Sequence, residues 1–97
     1  MSQKIETKGK PLRKKKNMRY RRTIWYVQIY RLDDATTFFL NATASSIWEL
    51  CDGNHTIEQI AEIIGESFNK AVSQKSIIRD IKKFLNELTR ERLIEWV

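Results

Sequence analysis

Ninety-seven residues with a net charge of +6 suffice for one small domain and a tail, not for two cores. The charge is uneven: residues 1–22 hold ten Lys and Arg against one acid, Glu6, whereas residues 23–97 hold eight bases against eleven acids. Nucleic-acid-binding domains place their basic excess on the folded face that meets phosphate, and a mildly acidic body argues against that class.

Met1 to Asn17 contains the run Arg13-Lys14-Lys15-Lys16 and few apolar residues, so residues 1–17 are expected to be a disordered basic tail, with the domain spanning 18–97. Met18 to Arg22 can form a short, charged edge strand. From Trp25 to Tyr30, the residues Trp25, Val27 and Ile29 alternate with Tyr26, Gln28 and Tyr30, the period of a half-buried strand. Leu32-Asp33-Asp34-Ala35 reads as a turn. Thr36-Thr37-Phe38-Phe39-Leu40 is the returning strand, with Phe38 and Leu40 predicted to face the helices.

Asn41 is a good N-cap for the first helix, since its side-chain oxygen can accept from a first-turn amide. Ala44, Ile47, Trp48 and Cys51 recur at helical spacing, and Gly53 is predicted to end that helix. Thr56-Ile57-Glu58-Gln59 opens the second helix as a capping box, with Ile57, Ile60, Ala61, Ile64 and Phe68 on its buried face. Ser73 caps the third helix, and Val72 can staple onto Ile77. On that helix Ile77, Ile81, Phe84 and Leu88 form a core stripe, while Ile78, Leu85 and the stem of Lys82 lie on a flank. A helix apolar over so wide an arc can also wall a groove. Leu93 to Val97 is expected to fold back, because Trp96 and Val97 would otherwise expose a large apolar area.

No catalytic constellation is present: there is no phosphate-cradling glycine loop, no nucleophile with a base and no paired metal-ligand motif. Cys51 stands alone, which excludes an intramolecular disulfide, and it reads as a small buried hydrophobe. His55 reads as an ordinary loop residue. No run approaches the roughly 20 apolar residues of a membrane span, and the N-terminus lacks the apolar core of a secretory signal. The expectation is a cytoplasmic non-enzyme without catalytic residues, cofactor or metal, whose function lies in a surface.

Strands followed by three short helices indicate an α+β, winged-helix-like domain: a small antiparallel sheet of two to three strands packed on three helices. Leu40-Asn41-x-Thr43-Ala44, Asp52-Gly53 with Thr56-Ile57, Ile77-x-x-Asp80-Ile81-x-x-Phe84-Leu85-x-x-Leu88 and the closing Leu93-Ile94-Glu95 together resemble the PqqD-like family of peptide-binding domains, also called RiPP recognition elements. The resemblance covers roughly Trp25 to Trp96. It implies a stand-alone peptide chaperone of natural-product biosynthesis, which captures the leader region of a precursor peptide as an added antiparallel strand beside the third strand of its sheet. It also implies a maturation enzyme as second partner: a leader peptidase, a cyclase or a radical-SAM enzyme, in a lasso-peptide or radical-SAM type pathway. The implied peptide-binding residues are Thr36, Thr37, Phe38, Phe39 and Leu40 on the edge strand, with Ile78, Lys82 and Leu85 as the helix wall. Arg79 and Lys83 are placed to meet acids of the peptide. The alternative is a DNA-binding winged-helix regulator using Arg79, Lys82, Lys83 and Arg90. The net negative body and the apolar flank at Ile78 and Leu85 speak against it, and no membrane partner is expected.

Overall fold

The computed structural model of the chain describes residues 9–67 and 73–97. In chain order it forms β1 (Pro11–Arg13), β2 (Met18–Arg22), β3 (Val27–Arg31), β4 (Thr36–Leu40), α1 (Ala42–Glu49), α2 (Ile57–Ser67), α3 (Gln74–Arg90) and β5 (Ile94–Trp96). Strands β2, β3 and β4 make an antiparallel meander in that order, and β1 pairs with β5 in a second, two-stranded sheet. The helices cover one face of the meander. Val27 and Ile29 point into that side fully buried, among Ile47, Trp48, Ile60, Ile81, Leu85 and Leu93.

The sheet is tied to α1 by one hydroxyl. Ser45, buried beneath the strands, accepts from the Val27 amide at 2.8 Å and donates to the Leu40 carbonyl at 2.9 Å. A buried hydroxyl with both roles filled carries no desolvation deficit and sets the helix height against two strands at once. The N-caps fall where the side chains allow them: Asn41 accepts from the Ala44 amide at 2.8 Å, and Ser73 accepts from the Ser76 amide. Thr56 and Gln59 exchange side-chain-to-amide bonds at 2.9 and 3.2 Å, a complete capping box. Phe68 and Val72, expected on the second helix face and in the staple, lie outside the described residues.

Three expectations need correction. The basic segment is not a tail throughout, because β1 is a strand: Lys10 and Val97 exchange backbone bonds at 2.9 and 2.8 Å, Arg13 donates its amide to the Cys51 carbonyl, and Pro11 is fully buried. Residues 1–8 lie outside the described part. The Arg13 guanidinium is the reason a basic segment can dock, since it donates to the carbonyls of Trp48 and Glu49 at 2.8 and 2.9 Å, the negative end of α1. Gly53 does not end α1, which stops at Leu50 in the right-handed region. It sits further on, at φ +81°, where an added Cβ would lie 3.3 Å from Leu12 Cδ1 and 3.5 Å from Val97 Cγ2. It is needed for the close approach of the N- and C-terminal strands. Trp25 is not in a strand: Thr23 Oγ1 donates to the Tyr26 carbonyl at 2.9 Å and accepts from the amides of Trp25 and Tyr26. This local turn lifts Trp25 to the hairpin apex.

Candidate peptide-binding edge

The β2–β3–β4 sheet has two outer strands of opposite character. Strand β2 carries Arg19, Arg21 and Arg22 along its length, and charge on an edge discourages pairing with another chain. Strand β4, Thr-Thr-Phe-Phe-Leu, carries none. Its ends are partly occupied: the Thr36 amide donates to Asp34 Oδ1 at 3.2 Å, and the Leu40 carbonyl accepts from Ser45. Between them, among the described residues, no further strand pairs with the outward backbone groups of Thr37 to Phe39. An uncharged, β-branched and aromatic edge with open donors and acceptors accepts an extended peptide as a fourth strand.

The β4 side chains divide by the two-residue period. Thr36 and Phe38 are half-buried and Leu40 is buried on the helix side; Thr37 and Phe39 are exposed on the other. Phe38 is the aromatic floor beside the edge, and the Arg31 guanidinium lies over its ring at 5.1 Å. Phe39 points away, meeting Tyr26 with ring centroids 5.5 Å apart. A peptide on this edge would touch Thr37 and Phe39 mainly through their backbone.

Arg31 joins the sheet to α3. It donates to the Glu91 carbonyl at 2.6 Å and to Glu91 Oε1 at 2.8 Å, and it pairs with both oxygens of Asp34 at 3.0 and 2.8 Å. The guanidinium hydrogen-bonded to Asp34, helped by the Thr36 hydroxyl and amide, holds that carboxyl well below the usual carboxylate range. The two acids, Asp34 first, raise the Arg31 pKa in turn. The two acids are about half exposed and screened, so the role of the cluster is to position more than to stabilise.

The Arg31 contact also brings the C-terminal end of α3 to the sheet. Glu91 and Phe84 lie about 20° apart around the helix, and the Arg31–Glu91 bonds hold the C-terminal end of this flank at the sheet; further back along it Ile77 lies against α2, its Cδ1 3.4 Å from where a Cβ on Gly65 would stand. Ile78, Leu85 and Thr89 fall within about 40° of one another on the other flank, which faces β5: Trp96 Nε1 donates to Thr89 Oγ1 at 2.9 Å. Leu85 is fully buried, and its expected place on the groove wall is corrected; a side chain with no accessible surface belongs to the core. Ile78 is half-buried against the same core, while Arg79, Lys82 and Lys83 are exposed to solvent. Thr36 to Leu40 share one edge strand, and Leu85 is withdrawn into the core. Phe84, read from sequence as core stripe only, is half-buried against the core on the same side of α3 as Glu91. Asp80, Glu87 and Glu91 follow that flank outward. The polar arc of α3 splits into an acidic and a basic half, and it is the acidic half that ends, at Glu91, on the sheet residue Arg31.

Cys51 is fully buried, and burial pushes its thiol up to about 12, a poor nucleophile at neutral pH. His55 Nδ1 lies 2.9 Å from Asp52 Oδ1 in a loop. Among the described residues no group of three or more His, Cys, Asp and Glu could hold a metal ion, and no helix is long and apolar enough to cross a membrane.

Residues 29–94 match the model of a protein family described as coenzyme PQQ synthesis protein D, PqqD. Among solved structures the chain is similar to that of "TbiB1 in Complex with the TbiA(beta) Leader Peptide", at 25% identity and a TM-score of 0.76, over 87% of this chain and 95% of that one. No curated protein sequence matches the chain.

Proposed function

The chain belongs to the PqqD family, and from that premise we propose that it is a leader-peptide-binding module. The leader of a ribosomally made precursor adds as an antiparallel strand along Thr36 to Leu40, between β4 and the Phe84 flank of α3. The observation that carries this reading is the uncharged, unpaired β4 edge in a fold whose solved counterpart, TbiB1, holds a leader peptide. Main-chain bonds to Thr37–Phe39 supply affinity in any register; Phe38 and Phe84 supply the apolar contacts that select one. The acids Asp80, Glu87 and Glu91 along the outer rim favour leaders with basic side chains toward α3. Arg79 and Lys83, on the opposite half of the polar arc, have less to do with the peptide than their charge suggested.

The module performs no chemistry of its own in this reading. It presents the held precursor to a maturation enzyme, a leader peptidase, cyclase or radical-SAM enzyme, and raises its effective concentration there. No observation favours the DNA-binding alternative: the basic half of α3 runs beside an acidic half, which phosphate would repel.

Titration of the labelled protein with a synthetic leader peptide of a ribosomally made precursor tests this. Amide shifts should cluster at Thr36 to Leu40 and at Phe84 and Glu91. Shifts confined to β2, or to α2, would place the peptide elsewhere and end the proposal.

A further inference from the structure

The face of the meander turned away from the helices has no covering element among the described residues. The strand registers put Arg19, Tyr30 and Thr37 in one row across it, and Arg21, Gln28 and Phe39 in the next. At the end of the rows the hairpin apex carries Ile24 and Trp25. These are the most exposed large apolar residues described, at 86% and 77%, and Phe39 follows at 64%. The surface is ordered: the Tyr26–Phe39 ring contact joins the apex to β4, and the Thr23 hydroxyl fixes the turn beneath Trp25. Arg19, Tyr20, Arg21, Gln28 and Tyr30 line a hollow of about 200 Å³. No carboxylate among the described residues lies within ion-pair distance of Arg19 or Arg21, although Arg22 meets Glu49 at 3.5 Å.

We propose that this outer sheet face is a docking surface for a second protein, one that offers an apolar patch ringed by Asp and Glu. Three features choose the occupant. Tryptophan, tyrosine, phenylalanine and arginine are the side chains enriched in protein interfaces and in their energetically dominant positions, and here Arg19, Arg21, Tyr30 and Phe39 share one face with Trp25 exposed at its apex. The arginines on it lack acidic partners within the described chain, so the complementary surface supplies them. The apolar strip runs back from the apex along the sheet to Phe39 and Tyr30. A protein surface laid on the face covers all of it, whereas a bilayer would take up only the apex. The face is also separate from the β4 edge. On the leader-binding reading, an added strand extends the sheet in its own plane and leaves this face open, so leader and docked protein are held together on one module.

A defined probe tests the surface without the partner. The labelled full-length protein is titrated with a short synthetic peptide alternating Glu and Leu around a central Trp, with the same peptide carrying Gln for Glu, and with phosphatidylglycerol–phosphatidylcholine vesicles. The Glu peptide should shift Ile24, Trp25, Tyr30 and Phe39 and bind about tenfold more tightly than the Gln peptide. Arg19→Glu with Arg21→Glu should remove that preference, with the far-ultraviolet dichroism unchanged because both side chains are exposed. The shifts at Ile24, Trp25 and Tyr30, which lie off the β4 backbone, should be the same with the β4 edge filled by a leader. Equal binding of the two peptides overturns the proposal, as do shifts at Lys14 to Lys16 alone or no response to either peptide. A Trp25 fluorescence blue shift on vesicles without a peptide response assigns the face to a bilayer instead. If the leader itself fails to bind β4 while the Glu peptide still binds this face, the leader reading fails and the docking surface stands.

Discussion

Arg13→Ala measures how far the basic N-terminal segment belongs to the fold. The side chain makes two charge-assisted bonds, to the Trp48 and Glu49 carbonyls at 2.8 and 2.9 Å, and its guanidinium lies 5.6 Å from the centre of the Tyr20 ring. Tyr20 in turn packs edge-on against buried Trp48, with centroids 5.3 Å apart. A hydrogen bond from a charged group contributes about 1.5–3 kcal/mol net when buried, and Arg13 is only half-buried, so the lower end applies. The Trp48 carbonyl keeps a second donor, the Cys51 amide at 3.1 Å, whereas among the described residues Arg13 is the partner given for the Glu49 carbonyl. Together with the cation–π contact, worth about 0.5–1 kcal/mol at a partly exposed site, the loss comes to ~2–3 kcal/mol. For a domain of this size that lowers Tm by about 10–20 °C. Arg13→Lys keeps the charge but not the fork and should recover about half of the loss. Urea unfolding of the three proteins checks this, with the midpoint shifting at constant slope. A change below about 0.5 kcal/mol for Arg13→Ala, the range of an ordinary surface substitution, would refute the reasoning and leave β1 a passive strand.

Leu85→Ala should cost ~2–4 kcal/mol of stability through lost transfer energy and a residual cavity, and half-buried Ile78→Ala should cost about half as much. Urea melts showing the reverse order would return Leu85 to a surface role. Cys51, buried and with its thiol pushed up to about 12, should not react with a disulfide reagent in the native protein at neutral pH and should react fully in denaturant; rapid native labelling would contradict its burial. The folded pKa of Asp34 lies below its unfolded value, so its contribution is complete above the ordinary carboxylate pKa of about 3.9. It is lost as pH falls through the folded value. The stability difference between the native protein and Asp34→Asn should therefore be constant near neutrality and shrink below about pH 4. A difference that persists undiminished in acid would show that Asp34 acts through the turn and not through Arg31.

The local grammar of this chain is carried by its residues. Asn41, Thr56 with Gln59, and Ser73 start their helices where side-chain oxygens can reach first-turn amides; the alternation at Val27 and Ile29 and the Leu32–Ala35 turn define the hairpin. These features depend on atoms within a few residues of one another, and the α+β architecture and family follow from their order. What the sequence could not decide were contacts between distant segments. Pro11–Arg13 looks unable to fold until the carbonyls at the end of α1 and the backbone of Ile94–Trp96 come within reach. Leu85 and Phe84 are adjacent apolar residues on one helix, yet the first is fully buried and the second only half-buried. The neighbours that meet α3 on either side, Trp96 at Thr89 and Arg31 at Glu91, come from distant parts of the chain. Trp25 fits a strand by period, but the Thr23 hydroxyl satisfies the turn amides first, and the ring is left at the apex. Periodicity reports how wide the apolar arc of an element is; which neighbour covers each part of that arc is settled only when the chain closes on itself.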